Sequence, residues 1–319
     1  MIKILIIRFS SIGDIVLTTP VIRCIKQQLP GSELHFLTKK QFEPVLKANP
    51  NIDKLWLYDR NFGDLIPKLK AEGFDFIADL HKNLRSGYVR LMLGKPSGTF
   101  TKLNIRKWLI VNFKWDLLPG KHIVDRYFSA VHKLGVKNDG QGLDYFILSA
   151  DEVKPVYPDF IAVVIGGMHY TKLFPVEKVA EVINKLHKPV IILGGPEDKE
   201  RGDRIVDLCL KPVINLSGRY SLNQAASLLK QSSAVLTNDT GLMHIAAAFR
   251  KKMVSVWGNT IPAFGMYPCL PSGSGDSYIA EVTGLSCRPC SKLGFRECPK
   301  KHFRCMMDIS TDDIAAHLE

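Results

Sequence analysis

The chain has 319 residues, 46% of them apolar, and carries a formal net charge of +12. That length suits two domains, each burying its own core, and the charge implies an anionic partner: nucleic acid, an acidic membrane surface or a phosphorylated acceptor. No run of roughly 18 apolar residues predicts a bilayer span, Met1–Ile7 is too short and strand-like for a secretory signal, and seven irregularly spaced cysteines then predict reduced thiols in the cytosol.

Ile2–Arg8 (IKILIIR) is a continuous apolar run, the pattern of a strand buried on both faces. Phe9–Asp14 turns into a predicted helix over Ile15–Leu29, which Pro20 should kink or restart. Strands are predicted at Glu33–Leu37, Leu55–Tyr58 and Phe76–Leu80, with helices between them such as Phe62–Glu72. Lys102–His122 interrupts the alternation, interleaving Arg and Lys with Trp108, Phe113 and Trp115. It suits either a membrane interface or a core-facing helix with a solvated basic face. Asp125–Leu134 is a predicted helix ending near Gly135; the acidic Asp139–Asp144 segment points to no role.

Ser149–Asp159 is polar and holds Pro155 and Pro158, so a linker is placed there and the domains at 1–155 and 156–319. The alternation restarts with strands at Phe160–Ile165, Val190–Leu193, Val213–Leu216, Ala234–Thr237 and Met253–Trp257, and helices at Val176–Leu186 and Ser221–Leu229. The predicted fold class is α/β: two tandem doubly wound parallel sheets, with a ligand cleft between them.

Four polar or glycine-rich loops fall at strand carboxyl ends: Ser10–Asp14, Gly166–Lys172, Gly194–Asp198 and Asn238–Gly241. None fits the dinucleotide fingerprint or the P-loop, which argues against an NAD enzyme or a phosphate-hydrolysing motor. No stacking motif favours nucleic acid. Ala234–Ala248 (AVLTNDTGLMHIAAA) is a strand, a tight turn and a helix with small packing residues. Free amides at that helix N-terminus suit a phosphate, Gly241 allows close approach, and Asp239 can accept hydrogen bonds from a hydroxylated ligand. An ordinary capped strand–turn–helix unit is the alternative.

Arg8–Pro20 (RFSSIGDIVLTTP) resembles the opening motif of the bacterial lipopolysaccharide heptosyltransferases. Asp239–Ala248 (DTGLMHIAAA) is similar to their donor-binding motif, and Asp79–Ser86 (DLHKNLRS) resembles a third family segment. The resemblance spans nearly the whole chain in order. It implies a GT-B fold of two Rossmann-like domains, with acceptor bound mainly by the first and nucleotide sugar by the second. It implies inverting, metal-independent transfer of heptose from an ADP-sugar to a lipopolysaccharide core, at the cytoplasmic face of the inner membrane. Asp14 matches the family's catalytic base and Lys172 a lysine on the donor phosphates. Asp198 falls at a ribose-binding acid and Asp239 at the sugar-binding aspartate. Thr240, Gly241 and His244 match the diphosphate-binding turn. Ser11, His81, Lys82 and Arg85 are candidate acceptor contacts. The family's usual Lys-(Arg/His)-Trp-Pro is here Lys172-Leu173-Phe174-Pro175, and Gly166-Gly167-Met168-His169 replaces a loop of small or hydroxyl residues.

The physics fits these roles. A carboxylate can serve as the base that an inverting transfer requires, and a lysine with helix-terminal amides can stabilise the departing diphosphate. Asp14 at a helix N-terminus should nevertheless have a lowered pKa, which weakens a base, and simple capping is its alternative role. A sugar-nucleotide epimerase of the same fold and a non-catalytic basic membrane-associated protein are the competing functions. Finally, Cys287-x2-Cys290-x7-Cys298-x6-Cys305 suits either a structural zinc or reduced thiols packing a loop. The same segment carries Arg288, Lys292, Arg296, Lys300, Lys301 and Arg304, candidates for acceptor phosphates or a solvated basic loop.

Overall fold

A computed structural model describes residues 2–271, 273 and 277–319. The chain divides into two compact units, Met1–Lys102 with Lys121–Leu148, and Leu103–Gly120 with Ser149–Glu319.

The first unit begins with β1 (Lys3–Ile7), α1 (Ile12–Val16), α2 (Thr19–Gln28), β2 (Glu33–Lys39), α3 (Glu43–Leu46) and β3 (Lys54–Tyr58). It continues with α4 (Leu65–Ala71), β4 (Phe76–Asp79), α5 (Leu84–Leu93) and β5 (Ser97–Thr99). After α6 (Asn104–Phe113), which belongs to the second unit, the chain returns for α7 (Ile123–Phe128). Among the described residues the strands form a five-stranded parallel sheet in the order β3-β2-β1-β4-β5. β1 is central and almost fully buried, as its unbroken apolar run requires. Pro20 restarts the helix instead of kinking it. It lies in the first turn of α2, where a missing N–H goes unused and its fixed φ is helical. The helix expected over Asp125–Leu134 is shorter: α7 stops at Phe128, a 3-10 turn covers His132–Leu134, and Gly135 closes it at φ 74°.

The second unit contains β6 (Ile161–Val164), α8 (Val176–Lys185), β7 (Val190–Leu193), α9 (Lys199–Leu208), β8 (Val213–Asn215) and α10 (Leu222–Gln231). Then follow β9 (Ala234–Asn238), α11 (Gly241–Ala248), β10 (Lys252–Trp257), β11 (Ser277–Glu281), α12 (Arg304–Met307) and α13 (Thr311–Leu318). Its described strands form a six-stranded parallel sheet, β11-β10-β9-β6-β7-β8. One core cluster joins the inner faces of α8 and α13 to this sheet and takes in Cys305 and Met306 from α12. The fold class is as expected, two doubly wound α/β units.

Three expectations change. The segment expected as a linker belongs to the second unit and is anchored there: Val153 N donates to Ser227 Oγ (3.0 Å) and Asn223 Nδ2 to Asp151 Oδ2 (3.1 Å). α6 is not a core-facing helix, since Ile110 is its one buried residue, while Ile105 is 76% and Trp108 53% exposed. It is held by Lys107, whose ammonium sits 5.1 Å from the Phe264 ring centroid, and by Lys114 just past its end. The acidic Asp139–Asp144 segment does have a structural role. Its two aspartates pair with the buried Arg23 of α2, Asp139 through two 2.8 Å contacts and Asp144 through a third.

In each sheet the strand order reverses beside one central strand, between β1 and β4 in the first and between β6 and β9 in the second. Loops at the carboxyl ends of strands beside such a reversal are where doubly wound sheets bind ligands.

Candidate functional site

In the first unit the loop after β1 carries Ser11 and Asp14, and the loop after β4 carries His81 and Lys82. Arg8, at the end of β1, ties them together. Its guanidinium lies 2.7 Å from Asp14 Oδ1, donates to Leu80 O (2.6 Å) and Ser10 O (2.7 Å), and sits 5.8 Å from the Tyr127 ring centroid. Asp14 also accepts from the exposed Ser11, through its hydroxyl (2.9 Å) and its amide (3.2 Å), so it does close the first turn of α1. Burial works to raise the Asp14 pKa, but the Arg8 charge and the Ser11 hydrogen bonds outweigh it and hold the carboxyl below its ordinary value. The expected lowering is therefore found, with an ion pair as its main source.

His81 is pushed down to about 4, first by burial and then by the Arg8 and Lys102 charges, so its imidazole is neutral near pH 7. It packs edge-on to Phe9, and its Nδ1 is buried without a partner. Lys82 is turned away from a ligand role: its ammonium donates to Phe100 O (2.9 Å) and its amide to Asp79 Oδ1 (2.7 Å). Arg85 is exposed on the first turn of α5. Arg8 opens the Arg8–Pro20 motif but received no role from the sequence, because a residue type within a motif shows neither its burial nor its ion-pair partner.

In the second unit the loops after β6 and β9 meet. Asn238, the last residue of β9, is buried and bolts them: its Nδ2 donates to Ile165 O (3.1 Å) and Gly166 O (3.2 Å), and its Oδ1 accepts from Phe174 N (3.0 Å). The next residue, Asp239, receives the Lys172 ammonium at 2.5 Å and the Thr260 hydroxyl at 3.1 Å on one oxygen, Oδ2. Thr240 is the N-cap of α11, yet its hydroxyl makes no capping hydrogen bond and is buried without a partner. That departs from the capping expectation and leaves the hydroxyl available to a ligand. Gly241 opens the helix and His244 is buried on its first turn. Gly167 lies where a Cβ would meet Leu173 at 2.7 Å and Thr240 Cγ2 at 3.7 Å, so the Gly166–Met168 departure keeps the backbone close to the α11 terminus.

Asp198 is buried beneath Gly166 and Gly194; a Cβ on either would lie within 2.8 Å of it. One of its oxygens accepts from Gly195 N (2.9 Å), and burial raises its pKa. Ser217, beyond β8, has a buried hydroxyl without a partner, facing Gly194. Ser217 and Thr260 carry no sequence signal, since single hydroxyl residues in loops are too common to mark a site. Together Lys172, the α11 terminus, the Thr240 hydroxyl and Asp239 offer a cation, free amides and a hydrogen-bonding carboxylate. That set suits a ligand bearing both phosphate and hydroxyl groups.

Cys305 lies in the second-unit core and Cys298 packs against it. The Cys305 thiol is pushed up to about 12, chiefly by burial and then by the neighbouring thiols, and Cys290 is raised in the same way. Among the described residues the trio whose ligand atoms lie within 4.8 Å of one another is Glu33, His35 and Glu72, not the thiols. That trio already carries ion pairs to Lys3 and Lys54. Arg288 is not an acceptor-facing cation. Its side chain is 6% exposed, pairs with Glu281 at 2.5 Å and donates to the carbonyls of Gly258 (2.6 Å), Thr260 (2.9 Å) and Val282 (2.9 Å). Arg304 pairs with Asp308 (2.7 Å), whereas Lys292, Arg296, Lys300 and Lys301 are exposed.

Residues 63–293 match the model of glycosyltransferase family 9 (heptosyltransferase). The chain is 24% identical to lipopolysaccharide heptosyltransferase 1 of Campylobacter coli, over 81% of this chain and 84% of that one. It is 26% identical to lipopolysaccharide heptosyltransferase 3 of Escherichia coli K12, over 79% and 81%. In structure it is similar to the E. coli ADP-heptose lipopolysaccharide heptosyltransferase II, with a TM-score of 0.76 at 20% identity, covering 99% of this chain and 97% of that one.

Proposed function

The chain belongs to glycosyltransferase family 9, the heptosyltransferases, and from that premise we propose that it transfers a heptosyl residue from ADP-heptose to a lipopolysaccharide core acceptor, with inversion at the anomeric carbon. The observation that carries this reading is the Lys172–Asp239 pair beside the α11 N-terminus, its aspartate on the strand–turn–helix unit that also bears the donor-motif resemblance. The bond from the acceptor oxygen to the anomeric carbon forms as the bond from that carbon to the ADP phosphate oxygen breaks. Asp14 takes the proton of the acceptor hydroxyl. Lys172, the Thr240 hydroxyl and the first amides of α11 meet the charge that develops on the departing ADP. Asp239 binds sugar hydroxyls and Asp198 the ribose; Ser11 and His81 line the acceptor side.

No divalent metal takes part in this chemistry: the lysine and helix terminus supply the positive charge. A zinc ion on Cys287, Cys290, Cys298 and Cys305 would be structural. Metal analysis distinguishes about one zinc per chain from thiols that only pack the loop.

The acceptor's lipid places the protein at the cytoplasmic surface of the inner membrane. Supporting this, α6 and the residues after it expose Ile105, Trp108, Phe113, Trp115 and Leu117 together with the basic Arg106. On α5 of the other unit, Leu84, Tyr88 and Leu91 form a second exposed apolar stripe at helical spacing.

The test is to incubate the protein with ADP-heptose and a heptose-acceptor glycolipid, and to follow the glycolipid by mass spectrometry. A mass increase of one heptosyl residue with stoichiometric ADP release is expected. Conversion of the nucleotide sugar without acceptor would instead identify an epimerase, and nucleotide-sugar binding without turnover a binding protein.

A further inference from the structure

The cysteine segment touches two stretches beside Asp239: the loop after β10 and the turn that carries Lys172. Cys290 N donates to Asn259 O (3.3 Å), and the Arg288 guanidinium grips the carbonyls on either side, Gly258 and Thr260. Phe295 N donates to Thr171 Oγ1 (2.8 Å) while Thr171 N donates to Phe295 O (3.3 Å), which fixes the turn that carries Lys172. Gly294 packs so tightly on His169, in the same turn, that a Cβ there would lie 2.5 Å from it. Three backbone carbonyls and Glu281 take four of the five guanidinium donors of Arg288, so its main contacts are with the protein itself.

The geometry points to Arg288 and Thr260 as positioning residues for the donor-side carboxylate. Arg288 holds the 258–260 loop, and the buried Thr260 hydroxyl donates from that loop to Asp239 Oδ2. Lys172 binds the same oxygen. Once Lys172 turns to the donor diphosphate, Thr260 is the protein donor that keeps this carboxylate in place for the sugar hydroxyls. A charge-assisted hydrogen bond from a buried hydroxyl orients a carboxylate more firmly than a solvated one does, because no water competes for it. This inference rests on the assignment of Asp239 as the sugar-binding group.

The experiment compares wild type, Thr260→Val, Thr260→Ser, Arg288→Lys and the Thr260→Val/Arg288→Lys double variant by calorimetric titration with ADP and with ADP-heptose. Valine keeps the volume and removes the donor; serine restores it. Thr260→Val is expected to bind ADP within about twofold of wild type but ADP-heptose about tenfold more weakly, the effect of one hydrogen bond to a charged group. Thr260→Ser should recover most of the loss. Arg288→Lys should show the same sugar-selective loss, and the double variant should be no worse than the poorer single, since both act on one carboxylate. Equal losses for ADP and ADP-heptose, unchanged ADP-heptose affinity in Thr260→Val, or additive losses in the double variant would each overturn the positioning role. Wild-type binding of ADP-heptose tests the donor assignment separately. If the wild type prefers another nucleotide sugar, the same ratios are measured with that sugar against its free nucleotide.

Discussion

At the scale of single residues, Asp14 is the instructive case. The base of a transfer to a hydroxyl must be ionised, and the Arg8 ion pair together with the Ser11 hydrogen bonds keeps Asp14 ionised. Its folded pKa is lowered, so the carboxylate form persists at every pH above that lowered value. The acid limb of kcat/KM should therefore fall below the ordinary aspartate value of 3.8. A limb rising above pH 5 would assign the base to another group. Asp14→Asn should retain ADP-heptose binding and lose about 10²–10⁴-fold in turnover; near wild-type turnover would reduce Asp14 to the cap of α1. In the proposed mechanism Lys172 meets the donor phosphates both before and during transfer, and Lys172→Ala removes that contact. It should lower kcat and weaken donor binding together, whereas a change in KM alone would confine the lysine to ground-state binding. Asp14, Lys172 and Asp239 are candidates from the sequence because positions of the family's motifs match them. Arg8, Ser217 and Thr260 were given no role, since what they do depends on burial and on partner atoms that residue types along the chain do not reveal.

At the scale of elements, the strands were legible because a strand buried on both faces needs an unbroken apolar run, as in KILII and VIIL. Short elements with mixed composition escaped: β5 is Ser-Gly-Thr and α9 is largely charged. The acidic segment escaped for a different reason. Asp139 and Asp144 gain their role from Arg23, 116 and 121 residues away in the chain. The Arg23 interaction outweighs the burial that opposes it and holds Asp139 down at about 2. A carboxyl depressed on folding stabilises above its unfolded pKa and loses that contribution as pH falls through the folded value. Asp139→Asn should thus destabilise the protein by roughly 1 kcal/mol at neutral pH, after allowance for solvent screening. Denaturant midpoints of variant and wild type should draw together as pH falls from 4 through 2; a gap at pH 2 as large as at neutral pH would show that the ion pair is not its source.

At the scale of the whole molecule, the charge of +12 and the exposed aromatic residues on and after α6 bear on where the protein works. Co-sedimentation with vesicles containing anionic lipid should decline as salt rises, because exposed charges are screened over about 10 Å at 0.1 M. Trp108→Ala with Trp115→Ala should reduce binding at every salt concentration; wild-type binding that ignores salt, or is absent on anionic vesicles, removes the membrane proposal. Turnover should persist in excess EDTA, and a loss restored by magnesium would contradict the metal-free chemistry. By itself the sequence determined the α/β class, the two doubly wound units and the loops at strand carboxyl ends, since each follows from short-range periodicity and turn chemistry. It also carried the family, through motifs that are each contiguous in the chain. Only the tertiary structure decided which unit takes residues 103–120, that the presumed linker is packed, and that Arg288 serves the protein's own carbonyls. Those outcomes depend on contacts between segments far apart in the chain, and a local pattern of residue types holds no record of which distant group will meet it.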